Sequence, residues 1–167
     1  MRSQYGRHMT EQRVSATRRI SAPAAAIWAI VADPAGHVRI DGSGMLDLAP
    51  DARPITEVGQ TFDMHMDRTP LGDIPNLTKY SVRNTVTQVD PGRLVEWTIG
   101  GIDQPPLGHV YGWQLDAIDD GTTDVTNYCD WTNITDELRA RRPDWPIVPV
   151  TMLEASVAKL EQLATEG

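Results

Sequence analysis

The sequence predicts an α+β fold class: a curved antiparallel sheet of about six or seven strands wrapped around a long C-terminal helix, with two short helices after the first strand. Three observations predict it. Runs of alternating apolar and polar residues recur between turns rich in Pro, Gly and Asp, which is how hairpin-linked antiparallel strands read. The segment 146–165 instead carries Val150, Leu153, Val157 and Leu160 at three-to-four spacing, the stripe of an amphipathic helix. The chain has 167 residues, enough for one domain with a sizeable core. Such a sheet buries one face, and only the last helix is long enough to cover it.

Taken in order, residues 1–12 are polar and lack an apolar leader core, so they read as a loose tail ahead of a domain over 13–167. Val14, Ala16, Arg18 and Ile20 alternate with Ser15, Thr17 and Arg19 as a first strand. Ser21 is a cap residue and Pro23 suits a first helical turn, so a helix is expected over Ala24–Ala32. Asp33-Pro34 ends it, because a residue before proline is pushed out of the α region. A second short helix or turn fits Pro34–Arg39, and strands are expected at Gly44–Leu48 and Gln60–Asp67. In the latter, Phe62, Met64 and Met66 alternate with Asp63, His65 and Asp67, which sends His65 outward. After a Pro/Gly loop come strands at Lys79–Val89 and Leu94–Ile99, joined by Asp90-Pro91-Gly92-Arg93. Strands Gly108–Ala117 and Thr122–Thr132 are joined by Asp119-Asp120-Gly121, a hairpin signal. The last helix is expected over Pro146–Thr165, with Pro146 and Pro149 inside its first turn.

Charge narrows the function classes. The formal net charge is −8, from 15 Lys+Arg against 23 Asp+Glu. Nucleic acid as a partner is disfavoured, since phosphates call for a basic surface, and so is charge-driven attachment to an anionic membrane. No run approaches the ~20 apolar residues that span a bilayer. The lone cysteine, Cys129, excludes an intrachain disulfide and fits a reducing cytoplasm. His8, His37, His65, His109 and Cys129 show no ligand spacing, so neither a metal nor a cofactor is expected. Gly100-Gly101 precedes prolines rather than a helix and reads as a loop, not a phosphate cradle. A monomer and a homodimer both fit the sequence.

The block Ile20-Ser21-Ala22-Pro23-Ala24-Ala25-Ala26-Ile27-Trp28-Ala29-Ile30-Val31-Ala32-Asp33-Pro34 resembles the opening strand-to-helix signature of the helix-grip superfamily. That superfamily holds START domains, pollen-allergen-type proteins and bacterial polyketide cyclase/dehydrase-like proteins. Val86 through Pro91-Gly92-Arg93 to Trp97 resembles its central hairpin, and Gly121–Thr126 with Asp130-Trp131 resembles its last strand. The resemblance spans roughly Val14 to Thr165. It implies the helix-grip fold and a ligand space between sheet and helix, while the scaffold itself serves carriers, sensors and enzymes alike. Members often carry a Trp after the second helix, where this chain has Ile40-Asp41-Gly42-Ser43-Gly44, so the entrance is expected to differ.

Alternation decides which side chains face that space. His109, Tyr111, Trp113 and Leu115 are the bulky set of their strand; Val95, Trp97 and Ile99, and Tyr80, Val82, Asn84 and Val86, are the inward sets of theirs. The expected ligand-binding wall is therefore Phe62, Met64, Met66, Tyr80, Asn84, Trp97, His109, Tyr111, Trp113, Asn127 and Trp131, with Leu153 and Val157 from the helix. It is apolar and aromatic with a few polar tips, a surface for a hydrophobic small molecule, lipid-like, aromatic or polyketide-like. A carrier or sensor is the first reading. The alternative is a cyclase/dehydrase-type enzyme in which His109, with a pKa near neutrality, is the catalytic acid/base and Tyr111 polarises a carbonyl. A regulatory interaction module on the same scaffold is the third. Asp41, in a glycine-flanked loop, either gates the mouth or forms a simple turn.

Overall fold

A computed structural model describes residues 6–9 and 12–166. Along it run β1 (Gly6–Met9), β2 (Arg13–Ile20), α1 (Ala24–Val31), α2 (Pro34–Ile40), β3 (Leu46–Leu48), β4 (Thr61–Asp67), β5 (Lys79–Asp90), β6 (Leu94–Gly101), β7 (Val110–Asp119), β8 (Thr122–Asp130), α3 (Asp136–Arg141) and α4 (Val150–Thr165). The strands form one antiparallel sheet in the order β1-β2-β8-β7-β6-β5-β4-β3. The elements expected from alternation and turn chemistry are all present, in the expected order.

The turns form for the reasons their residues suggest. At the β5–β6 hairpin the Arg93 amide donates to the Asp90 carbonyl (2.9 Å), and Gly92 takes φ +81°. At the β7–β8 hairpin the Gly121 amide donates to Asp119 Oδ1 (2.9 Å), an Asx turn. The strand β7 starts two residues later than expected. Gly108 lies at φ +105°, and a Cβ there would sit 2.0 Å from the Asn133 carbonyl oxygen, so the chain bends sharply before pairing begins.

Three local expectations are corrected. Ser21 does not cap α1: Pro23 holds the cap position in extended conformation, without a side-chain cap bond. The last helix begins at Val150, not Pro146; Pro149 is its cap, and a proline there pushes Val148 out of the α region. The short helix α3 was not expected, although Thr135 caps it by accepting from the Leu138 amide (3.1 Å) and Asp136 and Glu137 fill its first turn. Of the tail expected over 1–12, residues 1–5, 10 and 11 lie outside the described residues. Gly6–Met9 pairs with β2 as an edge strand, which the sequence reading did not foresee.

The core sits on the concave face. Val14, Ala16 and Ile20 of β2, Val125 and Cys129 of β8, Ile27 and Val31 of α1, and Leu153, Val157 and Leu160 of α4 are buried together. Burying each of the large aliphatic side chains contributes about 1.5–3 kcal/mol. The C-terminal half of α4 settles on this cluster. Arg18, on the inward side of β2, ties the helix down through Glu161 (2.9 Å).

Candidate functional site: an apolar cavity with a cationic mouth

The register of the sheet lines up one face across many strands. Met64 stands opposite Val82, Met66 opposite Tyr80, and Phe62 opposite Asn84, which in turn faces Ile99. Val86, Trp97, Tyr111, Cys129 and Val14 form a row across five strands, and Val95, Trp113, Asn127 and Ala16 a second across four. Toward β2 this face is packed by α4. Toward β4 the helix stands away, and a cavity of about 560 Å³ remains. Its other walls come from α2, from the loop 68–75, from α3 and from the segment 145–148.

Of the wall expected from alternation, Met64, Met66, Tyr80, Asn84, Trp97, His109, Tyr111, Trp113, Asn127 and Leu153 line this space. Phe62, Trp131 and Val157 do not. Phe62 packs edge-on against His37 (5.6 Å) and Trp97 (5.9 Å) behind the wall. Trp131 is stacked on Trp145 (6.0 Å), so Trp145 presents to the cavity in its place. Val157 lies one helical turn beyond Leu153, where α4 has already met the core and is fully buried.

The polar groups on the wall are few and mostly desolvated. His109 is buried against Trp145 (5.1 Å) and Tyr111 (6.0 Å), and its Nδ1 has no hydrogen-bond partner. Burial, reinforced by the positive charge of Arg68, lowers its pKa to about 4, not the near-neutral value expected from sequence. Burial likewise pushes the Tyr111 hydroxyl well above its ordinary value. Both groups are therefore neutral at neutral pH. Asn84 Oδ1 and Trp145 Nε1 are also buried without partners. Such atoms cost stability when left unpaired, and they give a ligand a few fixed places to hydrogen-bond.

Sequence reasoning missed His37. Its ring stacks on Trp97 (4.6 Å, 21°), and Nε2 donates to the Val31 carbonyl (2.7 Å). That bond fixes the tautomer and leaves Nδ1 as the acceptor nitrogen. Burial lowers its pKa to about 4 as well. The signal was present: His37 and Ile40 share one face of a short helix that a proline starts. Cys129, opposite Tyr111, is a buried thiol pushed up to about 12 by burial, which leaves it unreactive. Among the described residues no group of three His, Cys, Asp or Glu converges to hold a metal ion.

The mouth is polar. The exposed lining residues Asp73, Ile74, Pro75 and Arg141 mark it. Arg68 follows Met66 in the same alternation and grips Asp73 with Nε and Nη2 (both 2.8 Å), while Nη1 reaches the Tyr80 hydroxyl (3.2 Å). Arg142, from the end of α3, joins the same carboxylate (2.6 Å). Across the opening, Asp41 accepts from Ser43 N (2.9 Å), Ser43 Oγ (2.6 Å) and Leu46 N (3.0 Å), so its loop is a built turn. That loop is pinned to α4 by Gly42 N to Ser156 Oγ (2.9 Å) and Lys159 Nζ to the Asp41 carbonyl (2.8 Å).

This fold and cavity accord with what the chain resembles. A family model described as polyketide cyclase / dehydrase and lipid transport matches residues 11–166. The chain belongs to that family. The uncharacterized protein Rv0088 of Mycobacterium tuberculosis (strain H37Rv) is 35% identical over 121 residues, covering 71% of this chain and 47% of that protein. The chain thus spans about half the length of the curated relatives it matches. Among solved structures, a protein from Arthrobacter aurescens superposes with TM-score 0.66 at 15% identity, covering 99% of this chain and 94% of the other. Protein Ms6760 from Mycobacterium smegmatis gives 0.64 at 17%, covering 98% of each. Truncated norcoclaurine synthase from Thalictrum flavum gives 0.60 at 17%, covering 100% and 99%. At these identities the likeness is one of fold: the helix-grip architecture of the family. No helix among the described residues is long and apolar enough to cross a membrane.

Proposed function

We propose that this family member binds a hydrophobic small molecule in the space between the sheet and the N-terminal half of α4, as a carrier or sensor. The observation that carries this is the cavity itself. Its volume of about 560 Å³ falls within the ~300–1,000 Å³ range of ligand sites. Its wall is built from Met, Trp, Tyr, Ile and Leu side chains that would otherwise have closed into core. A norcoclaurine synthase of the same fold has been seen with dopamine and hydroxybenzaldehyde, so the scaffold accommodates small aromatic molecules.

An acid/base enzyme is the second reading, favoured by the unpartnered Nδ1 of His109 beside Tyr111. It ranks below binding because a histidine held at about 4 is a weak base and a poor reservoir of protons at neutral pH. Binding and turnover measurements together separate the two readings. Native mass spectrometry and titration with the neutral dye Nile red should reveal one saturable apolar site, and Leu153→Trp, which fills the wall, should weaken it at least tenfold. If His109→Ala abolished turnover of a polyketide-like substrate while dye binding survived, the carrier reading would be replaced by the enzyme.

A further inference from the structure

The cavity's charge runs against that of the molecule. The chain carries a formal net charge of −8. The charged residues lining the cavity are Arg68, Arg141 and Arg142 against Asp41 and Asp73, three positive and two negative, a net of +1. The two sides are not evenly matched at the contact level either. The Asp41 carboxylate is spent on its own loop, accepting from Ser43 and Leu46. The Asp73 carboxylate is shared by two guanidinium groups, Arg68 and Arg142. Arg141 forms no ion pair among the described residues.

Arg68 is the unusual member. Its side chain is only 15% exposed, its guanidinium edge is engaged by Asp73, and its Nη1 is turned to the Tyr80 hydroxyl inside the wall. It lines the same cavity as Tyr80, His109 and Tyr111, beside the polar groups of the wall. A half-buried guanidinium that shares its carboxylate with a second arginine is incompletely neutralised, and a further anion joining the cluster offsets that. The bidentate grip on Asp73 shows that the Arg68 fork is held in the geometry a planar carboxylate takes.

We propose that the cavity takes an amphipathic carboxylic acid, its apolar body inward against the Met and Trp wall and its carboxylate at the mouth among Arg68, Arg141 and Arg142. This deepens the binding reading and rests on it. Asp73 serves as a resident counter-ion that keeps the cluster folded when no acid is bound. Arg141 supplies the uncommitted charge, and Tyr80 orients Arg68.

The test is displacement of Nile red at pH 7.5 by dodecanoic acid, methyl dodecanoate and dodecyl phosphate, three molecules with one tail and different heads. The acid should displace the dye at about tenfold lower concentration than the ester, the scale of a charge-assisted hydrogen bond. Raising NaCl should shrink that ratio, since the mouth is partly open to solvent. Arg68→Gln and Arg142→Gln should bring the ratio toward one. Because both touch Asp73 and could disturb the fold, Arg141→Gln, which breaks no ion pair among the described residues, is the variant that decides: it should cut the ratio several-fold. Equal displacement by acid and ester would overturn the anionic head while leaving the apolar cavity standing. No saturable Nile red binding would remove the cavity reading and this inference with it. A phosphate favoured tenfold over the acid would overturn the choice of carboxylate.

Discussion

At the scale of the residue, two buried histidines make a prediction about acid. His37 and His109 both have their pKa lowered to about 4, chiefly by burial. An exposed imidazole in the unfolded chain titrates near 6.5. Between those values the unfolded chain binds protons that the folded chain refuses, so stability falls as pH falls from about 6.5 to about 4. Each histidine contributes an effect on the order of 3 kcal/mol at its full extent. The paired carboxylates act lower: Asp67, held down to about 2 by its Thr69 and Lys79 contacts, loses its contribution only below the ordinary carboxylate range. Urea unfolding of the wild type at pH 7.5, 5.5 and 4.5 should show the early loss, and His109→Phe should remove about half of it. An unaltered pH slope in that variant would mean that His109 titrates as if exposed.

At the scale of the element, α4 does two jobs along its length. Its C-terminal half, with Val157 and Leu160, is a packing surface for β2 and β8; its N-terminal half, with Met152, Leu153 and Ser156, is a cavity wall. Leu160→Ala should therefore destabilise by about 2–5 kcal/mol, the usual cost of truncating a fully buried leucine. Met152→Ala, at the cavity edge, should cost under ~1.5 kcal/mol because the space it leaves joins one already open. Denaturation midpoints with matched slopes would measure both, and equal losses would mean that the helix packs alike along its whole length. The three-to-four spacing of Val150, Leu153, Val157 and Leu160 shows which face is apolar. It cannot show where along that face the sheet curves away, which is why Val157 was expected on the wall although, of that stripe, Leu153 is the member that lines it. Period-two alternation on β4 to β8 was more informative, because a strand commits every second residue to one side. Even so, it stopped at Met66 when the same alternation continued to Arg68. The segment 142–148 offered no period at all. Arg142 and Trp145 come to the cavity through chain geometry set by Pro143 and Pro146, and nothing in local sequence marks that.

At the scale of the whole molecule, a sheet of this curvature closed by one helix packs solidly at one end and encloses a cavity at the other. Near β2 the rows ending in Val14 and Ala16 meet small or aliphatic partners and close. Near β4, Met64 and Met66 line the open side, and the loop after α2 is pinned against the helix, where a Cβ on Gly42 would sit 2.4 Å from the Ser156 amide. The close approach of that loop ties the helix at a fixed distance, so the opening is a consequence of the fold rather than of one missing side chain. A molecule that fills an apolar cavity of this size makes dispersion contacts with its wall and stabilises the folded state only. A ligand present at 100 times its Kd should then add about 2.7 kcal/mol, and for a chain of this length about 5–10 °C in Tm. Thermal unfolding with and without a tail-bearing acid, in the wild type and in Leu153→Trp, would check it. Equal shifts in both proteins would place the ligand on the surface, whereas a shift confined to the wild type ties the stabilisation to the space beneath α4.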